Sequence, residues 1–366
     1  MNPYIPDSLP LTTLNWEKLI PLLGASHSEL ARYDGFLQSI VNPHILLSPL
    51  TTQEAVLSSR IEGTQATLED VLEFQAAAKQ KDPSKYEDIQ EILNYQKAME
   101  YALEEMKQRP INLNMLLGIH SILLDSVRGK NKRRGEFRRV QNWIGRPGAT
   151  MEQASYVPPD PLYLMEYLTN WENYFHLDEK DRLVQLAIIH AQFEIIHPFI
   201  DGNGRVGRIL IPLFLFEKGL LHSPMFYLSE YLEKHRDVYY SELRLITEEK
   251  SWEGWIEFFL IAVREQAQEN SRKARAVLAL YNEMKEKVTA LTRSQYAIKI
   301  LDTLFFRPIF NTKEFAEVSG IPEKSAFRII DVLKKGEIVS VSRKAKGRGA
   351  ALITFPQLLS ILGSES

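Results

Sequence analysis

Between His197 and Arg208 the sequence reads HPFIDGNGRVGR, a window with one histidine, one acid, three glycines and two arginines. Each of these residue types can do chemistry, and the spacing gives each a place. Proline disfavours the α region for the residue before it, so Pro198 pushes His197 out of the preceding helix to the mouth of a loop. Gly202 and Gly204 can take positive φ in that loop and bring bare N–H groups close to a ligand. Arg205 is expected to open the next helix, and a glycine loop running into a helix N-terminus is an anion site. Arg205 and Arg208 are three residues apart, on one face of the first turn. Cations there oppose the helix dipole, so two of them point to a strongly anionic ligand, and arginine grips phosphate bidentately. Asp201 suits a magnesium anchor, since that ion is commonly held by one or two carboxylates plus phosphate oxygens. His197 has the side-chain type that titrates near neutrality and can accept a hydroxyl proton. Base, metal ligand, phosphate cradle and clamps together describe transfer of a phosphorus-centred group from a nucleotide to a hydroxyl.

Three other readings of the window fit less well. Gly202, Gly204 and Gly207 spell the G-x-G-x-x-G of a dinucleotide-binding turn, but that turn follows a strand, whereas a helix precedes this one. Glu194-x-x-His197 suggests half of a di-metal carboxylate bundle, but a second Glu-x-x-His is absent and Pro198 ends the helix. A plain surface loop would account for a lone His-Pro or Gly-Asn-Gly, but not for all six chemical positions in one window.

The elements that must position these residues read as helices. Residues 181–196 are apolar around most of the circumference, the pattern of a buried helix, and the segment from Arg205 starts another. Longer amphipathic patterns cover 85–107, 226–248 and 252–290. Two strand signals, 138–145 and 154–159, read as a hairpin with a long loop. The chain has 366 residues, a net charge of −3 and no cysteine, which excludes disulfides and thiolate metal sites. No signal peptide or spanning segment is visible, so a cytoplasmic protein without a membrane partner is expected.

The window matches, at every position, the signature H-P-F-x-[D/E]-G-N-G-R-x-x-R and so resembles the Fic family. The resemblance implies transfer of AMP from ATP to a tyrosine, serine or threonine hydroxyl of a target protein, with release of pyrophosphate. It makes His197 the catalytic base and Asp201 the magnesium ligand. Gly202, Asn203, Gly204 and Arg205 would hold the α- and β-phosphates and Arg208 the γ-phosphate, with Val206 and Gly207 in the same nucleotide-binding stretch. Phe199 reads as packing. Relatives that transfer phosphate carry lysine at the position of Gly204, so glycine favours AMP transfer. The 138–159 hairpin would be the family's flap, docking the target by strand augmentation. Its flanks GEFR (135–138) and YVPP (156–159) are as in many relatives, while the basic run 128–139 reads as solvated loop. The segment 227–243 resembles the part that lines the adenine pocket, where Tyr240 would touch the base, although neighbouring aromatics such as Tyr239 and Tyr240 are more often core.

A second signal lies upstream, in TTQEAVLSSRIEGTQ (51–65). Thr51 and Glu54 read as a capping box and Gly63 as a residue just past a helix C-terminus. Glu62, at the negative end of that dipole, calls for a cationic partner, and Ser58 lies one turn before it on the same face. Ser58, Glu62 and Gly63 resemble the [S/T]-x-x-x-E-[G/N] of Fic inhibitory helices. The resemblance pairs Glu62 with Arg208 and implies autoinhibition of the class II type, with Glu62 also beside the nucleotide.

Residues 311–355 read as helix, glycine turn, helix and two strands around a basic loop, a winged helix-turn-helix pattern. Lys and Arg outnumber Asp and Glu by nine to five over 311–350. That allows DNA as a partner, but Glu323 and Asp331 offset Lys324 and Arg328 on the recognition helix. The fold class expected is therefore mainly α: a helical Fic core with a β-hairpin flap, a helical N-terminal region and a C-terminal winged helix. The linear division is 1–105, with the inhibitory helix at about 52–63, then 106–275, a connector at 276–291, and 292–366. The function expected is a magnesium- and ATP-dependent protein adenylyltransferase, with a homodimer allowed as a partner state. Two alternatives stay open: removal of AMP from modified protein, and a DNA-binding regulator with a vestigial core.

Overall fold

A computed structural model of the chain describes residues 2–77, 82–125, 132–146, 148, 150–344 and 350–363. Helix dominates, as the 3.6-residue periodicities require. In chain order the helices are α1 (Trp16–Ser39), α2 (Pro43–Leu46), α3 (Ser48–Ile61), α4 (Leu68–Ala77), α5 (Pro83–Met106), α6 (Leu113–Leu123), α7 (Leu164–His176), α8 (Arg182–Ile196), α9 (Asn203–Glu217), α10 (Ser229–Lys234), α11 (Arg236–Glu249) and α12 (Trp252–Thr292). There follow α13 (Ala297–Phe306), β1 (Ile309–Phe310), α14 (Thr312–Ser319), α15 (Glu323–Lys335), β2 (Ser340–Arg343), β3 (Leu352–Thr354) and α16 (Pro356–Ile361). No helix among the described residues is long and apolar enough to cross a membrane.

The chain groups into two compact units, and the grouping differs from the linear four-part division. One unit holds the residues up to Asp34, Leu57–Gly63 and Asn94–Gln268; the other holds Gly35–Val56, Thr64–Leu93 and Glu269–Ser366. In the first, α8 is the central element, packed by α7, α9 and α11. Asp181 caps it, its carboxylate accepting from the N–H groups of Leu183 and Val184. Every residue from Leu183 to Phe193 is buried, as the apolar circumference predicts. Trp171 and Trp255 pack against α8 and donate their indole N–H groups to the carbonyls of Ile189 and Ala187, at 2.9 and 2.8 Å, which satisfies their polar tips inside the core.

In the second unit α13, α14 and α15 accompany an antiparallel sheet of order β1-β3-β2, with α4 against β1 and β3. Gly320 (φ 63°) makes the turn between α14 and α15. The sequence pattern anticipates these two helices and the last two strands but not β1. The core of the expected basic loop, 345–349, lies outside the described residues.

Several local expectations need correction. Helix α3 begins at Ser48, and Thr51 lies inside it with its hydroxyl 3.4 Å from the Leu47 carbonyl, so Thr51 is not a cap. The pattern at 226–248 is two helices, broken at His235 (φ −111°, ψ 32°). Among the described residues the hairpin at 138–159 is a single antiparallel bridge, Ile144 to Tyr156. Pro158 and Pro159 lack N–H donors, and the groups of residues 138–142 are used elsewhere. The Arg138 N–H goes to the Pro198 carbonyl, the Gln141 amide to the Pro158 carbonyl and the Asn142 amide to the Phe199 carbonyl. Within this segment residues 147 and 149, and within the basic run residues 128–131, lie outside the described residues.

Candidate active site

In the first unit, α8 ends at Ile196 and His197 caps it in the left-handed region (φ 49°). This is the displacement that Pro198 dictates. The loop returns through Gly202 (φ 81°), which caps α9. Helix α9 starts at Asn203, two residues before the expected Arg205, because the Asn203 side chain closes the loop on itself. Its Oδ1 accepts the Phe199 N–H at 2.8 Å and its Nδ2 donates to the Phe199 carbonyl at 2.9 Å. Gly204 is therefore helical and does not use positive φ. Its missing side chain matters for space: a Cβ there would collide with Glu62 Oε1 and come 2.8 Å from Arg208 Nη1.

A cavity of about 660 Å³ opens beside this loop. Its lining includes His197, Gly204, Arg208, Glu62, Glu194 and Tyr240. From the first turn of α9 Gly204 reaches it, whereas Asp201, Gly202, Asn203 and Arg205 are not among its lining residues; a helix N-terminus beside a cavity is an anion-binding arrangement. The site residues divide into those that reach this space and those that build it. Val206 is fully buried and its N–H bonds back to the Gly202 carbonyl at 3.0 Å. Gly207 allows α9 to approach α8, since a Cβ would meet Glu194 Oε1 at 2.5 Å. Phe199 is core, stacked on His120 with ring centroids 3.8 Å apart. Tyr240 lines the cavity and is 42% exposed, whereas Tyr239 is buried and shares a 3.0 Å hydrogen bond with His190.

His197 is held as a neutral imidazole. Burial pushes its pKa down to about 4. Its Nδ1 lies 3.3 Å from the Glu194 carbonyl, an acceptor, which puts the ring proton on Nδ1 and leaves the Nε2 lone pair available. The backbone at this point is clasped by Arg138, which is 2% exposed and so departs from the solvated loop expected of the basic run 128–139. Its guanidinium donates to the carbonyls of His197 (3.0 Å), Pro159 (2.5 Å) and Ile196 (3.4 Å). Burial lowers its pKa to about 10. His120 does similar work on the far side of the loop. Its Nδ1 accepts the Gly135 N–H at 2.9 Å, so its Nε2–H donates to the Asp201 carbonyl at 3.0 Å. Tyr156 ties the flap to α8 by donating to the Ile195 carbonyl at 2.7 Å.

Arg208 is 1% exposed and meets residues 57–63 of its own unit. Its Nε donates to Ser58 Oγ at 2.9 Å, and its Nη2 donates to the Ser58 carbonyl at 2.9 Å and to Glu62 Oε1 at 2.6 Å. The pairing expected of Glu62 and Arg208 is thus present, Ser58 joins it, and Gly63 (φ 102°) turns the chain away after Glu62. The Glu62 pKa is lowered: burial opposes ionisation, but the Arg208 charge and hydrogen bond outweigh it. Arg205 is 5% exposed and lies 3.5 Å from Asp201 Oδ1.

The Asp201 side chain is 41% exposed, with Lys132 Nζ 3.7 Å away. Among the described residues no three His, Cys, Asp or Glu side chains gather around one point. A single open carboxylate fits a magnesium ion that arrives with phosphates supplying further oxygens, and does not fit a resident metal.

Comparison with known proteins agrees with this geometry. Residues 20–104 match the model of the Fic/DOC family N-terminal region and residues 110–215 that of the Fic/DOC family, so the chain carries the domains of that family. The chain is 31% identical over 198 residues to the protein adenylyltransferase Fic of Drosophila virilis, an alignment covering 51% of this chain and 36% of that protein. The Drosophila melanogaster protein of the same name is 29% identical over 195 residues, with the same coverage. The chain therefore spans about a third of the length of these relatives. Among solved structures, a Fic family protein from Desulfovibrio desulfuricans G20 superposes with a TM-score of 0.60 at 20% identity, covering 94% of this chain and 98% of that one. Fic-1 (residues 134–508) from C. elegans gives 0.53 at 18% identity, covering 73% and 78%. These likenesses confirm a mainly helical Fic fold.

Proposed function

We propose that the chain is a protein adenylyltransferase that moves AMP from ATP to a hydroxyl of a target protein and is restrained by Glu62. The observation that carries this reading is one cavity shared by a neutral His197 and the N-terminus of α9, with Arg208 beside them. The adenylyltransferase names of relatives at about 30% identity support the same chemistry. In this reading the backbone of Gly202–Arg205 receives the phosphates, and Tyr240 meets the adenosine end. The target hydroxyl oxygen attacks the α-phosphorus and His197 Nε2 takes its proton. The bond from the α-phosphorus to the bridging oxygen breaks and pyrophosphate leaves with that oxygen. Asp201 would hold magnesium, which offsets charge on the phosphate oxygens.

Glu62 competes with this arrangement. Its carboxylate lies over Gly204 and against Arg208, the place and the partner an incoming phosphate needs. This supports autoinhibition of the class II type. The exposed Trp143 and Ile144, at 43% and 41%, support target docking at the flap. The order α13, β1, α14, α15, β2, β3 supports a winged helix in the second unit. Its helix α15 exposes Phe327 (58%) between Lys324 and Arg328, with Asp331 paired to Lys335 at 2.9 Å. A duplex DNA titration across salt separates a nucleic-acid role, which weakens steeply with salt, from a protein-contact role.

The test is incubation of the Glu62→Gly protein with ATP, magnesium and a cell extract, followed by mass spectrometry. AMP on Tyr, Ser or Thr of a target, abolished by adding His197→Ala, is expected. Equal modification with and without His197 would refute the assignment.

A further inference from the structure

Glu194 lies in the last turn of α8, three residues before the capping His197, and both line the cavity. Its Oε1 is sealed from solvent and has no hydrogen-bond partner among the described residues. It rests against Gly207, where a Cβ would stand 2.5 Å away. Buried polar atoms without partners are rare in folded proteins, and a charged oxygen sealed in this way is costly, so the position of Oε1 favours a neutral carboxyl on a residue that lines a ligand-sized cavity. Arg208 directs its hydrogen bonds to Ser58 and Glu62 and not to Glu194.

We infer that Glu194 is a ligand-facing residue that must carry its proton for a nucleotide polyphosphate to bind. The inference rests on the adenylyltransferase reading of the same cavity. A neutral carboxyl presents an O–H donor and a carbonyl acceptor to the incoming ligand. An ionised one adds a negative charge to a space that already holds the Glu62 carboxylate and must admit a polyanion.

The surroundings favour the neutral form. Burial pushes the Glu194 pKa up to about 8; Arg208 pulls against this and Glu62 adds to it. The other titratable groups around the cavity leave a window in which Glu194 titrates apart from them. On α8 and at its C-cap, His190 and His197 are pushed down by burial to about 3 and 4. On α11, Tyr239 is raised well above its ordinary value and Tyr240 to about 12. Asp237 and Arg244 line the cavity further along α11. A carboxyl with a raised pKa is neutral below that value and ionised above it. Nucleotide affinity is therefore full below about pH 8 and falls as pH rises, approaching tenfold per unit.

The experiment measures binding of α,β-methylene ATP with magnesium to the full-length protein at pH 7.5 and 9.0, for wild type and Glu194→Gln. Wild type should weaken about eightfold between these values, the ratio that a single group of pKa near 8 gives. Glu194→Gln, which stays neutral, should bind as well as wild type at pH 7.5 and hold that affinity within about twofold at pH 9.0. Equal pH dependence in the two proteins, or none in wild type, overturns the inference. If Glu194→Gln does not fold, calorimetry of wild type at pH 8.5 in two buffers of different ionisation heat decides. Uptake of on the order of one proton on binding is expected, and zero uptake overturns the proposal. Absence of nucleotide binding at pH 7.5 would sink the adenylyltransferase reading itself, and this inference with it.

Discussion

Replacing Glu62 tests the restraint at the contact that creates it. Arg208 is 1% exposed, and its hydrogen bonds reach Ser58 Oγ, the Ser58 carbonyl and Glu62 Oε1 at 2.9, 2.9 and 2.6 Å. A hydrogen bond to a charged group contributes about 1.5–3 kcal/mol. The Glu62 side chain is 34% exposed, so solvent screening places this pair near the lower end, about 1.5–2 kcal/mol. At about 1.4 kcal/mol per factor of ten, removing the carboxylate should raise the share of protein able to clamp a phosphate by about 10- to 30-fold. Glu62→Gly should show that gain as initial rate of AMP incorporation. Glu62→Gln keeps an oxygen acceptor without the charge and should fall between Gly and wild type. The thermal shift produced by ATP should follow the same order, because the nucleotide replaces the missing anion. Adding Arg208→Ala to Glu62→Gly should return the rate to background. Rates and ATP-induced shifts equal to wild type in both single variants would refute a restraint made through Arg208.

Other consequences concern the framework and pH. Arg138→Met removes the clasp on the carbonyls of His197, Ile196 and Pro159; kcat should fall at least tenfold with ATP affinity nearly unchanged, and an unchanged kcat would mean that the clasp does not position His197. Gly207→Ala sets a methyl 2.5 Å from Glu194 Oε1 and should destabilise the protein by about 1–3 kcal/mol, read from the denaturation midpoint, unless the side chain swings aside. Burial lowers the pKa values of His120, His190 and His197 to about 4, 3 and 4. As pH falls below about 6.5, the unfolded chain therefore binds three protons that the folded chain refuses, while Glu194 and Glu314, raised by burial to about 8 and 7, oppose with one each; the net is about one proton, or about 1.4 kcal/mol of stability lost per pH unit at the steepest. Thermal midpoints at pH 6.0, 5.5 and 5.0 should decline, and a flat or rising series would contradict neutral buried histidines.

The legible parts of the site were those set by neighbours along the chain. Pro198 dictated the exit of His197 from α8, and the apolar circumference of 183–193 gave away its burial. The capping arithmetic failed at Thr51 because α3 starts at Ser48, which leaves the Thr51 hydroxyl inside the helix against the Leu47 carbonyl. Arg205 looked like a helix start, but the Asn203 side chain bonds both backbone groups of Phe199 and starts α9 earlier. The roles of His120 and Arg138 went unread because their partners, Asp201 and His197, are 81 and 59 residues away, and no periodicity encodes such a pairing. Glu194 was visible as half of a metal motif, whereas its meaning depends on the closeness of Gly207 and Arg208, which only the folded chain supplies. Glu62 was legible through resemblance: spacing alone called for a cation and could not say which.

The central claim is that the α-phosphorus of ATP, and not the γ-phosphorus, is the centre transferred. Parallel incubations of Glu62→Gly with α-labelled and γ-labelled ATP, on the same protein extract, test it directly. Protein should carry label from the α-labelled nucleotide alone, with pyrophosphate released. Label retained from the γ-labelled nucleotide and absent from the α-labelled one would contradict the account and make the chain a phosphotransferase.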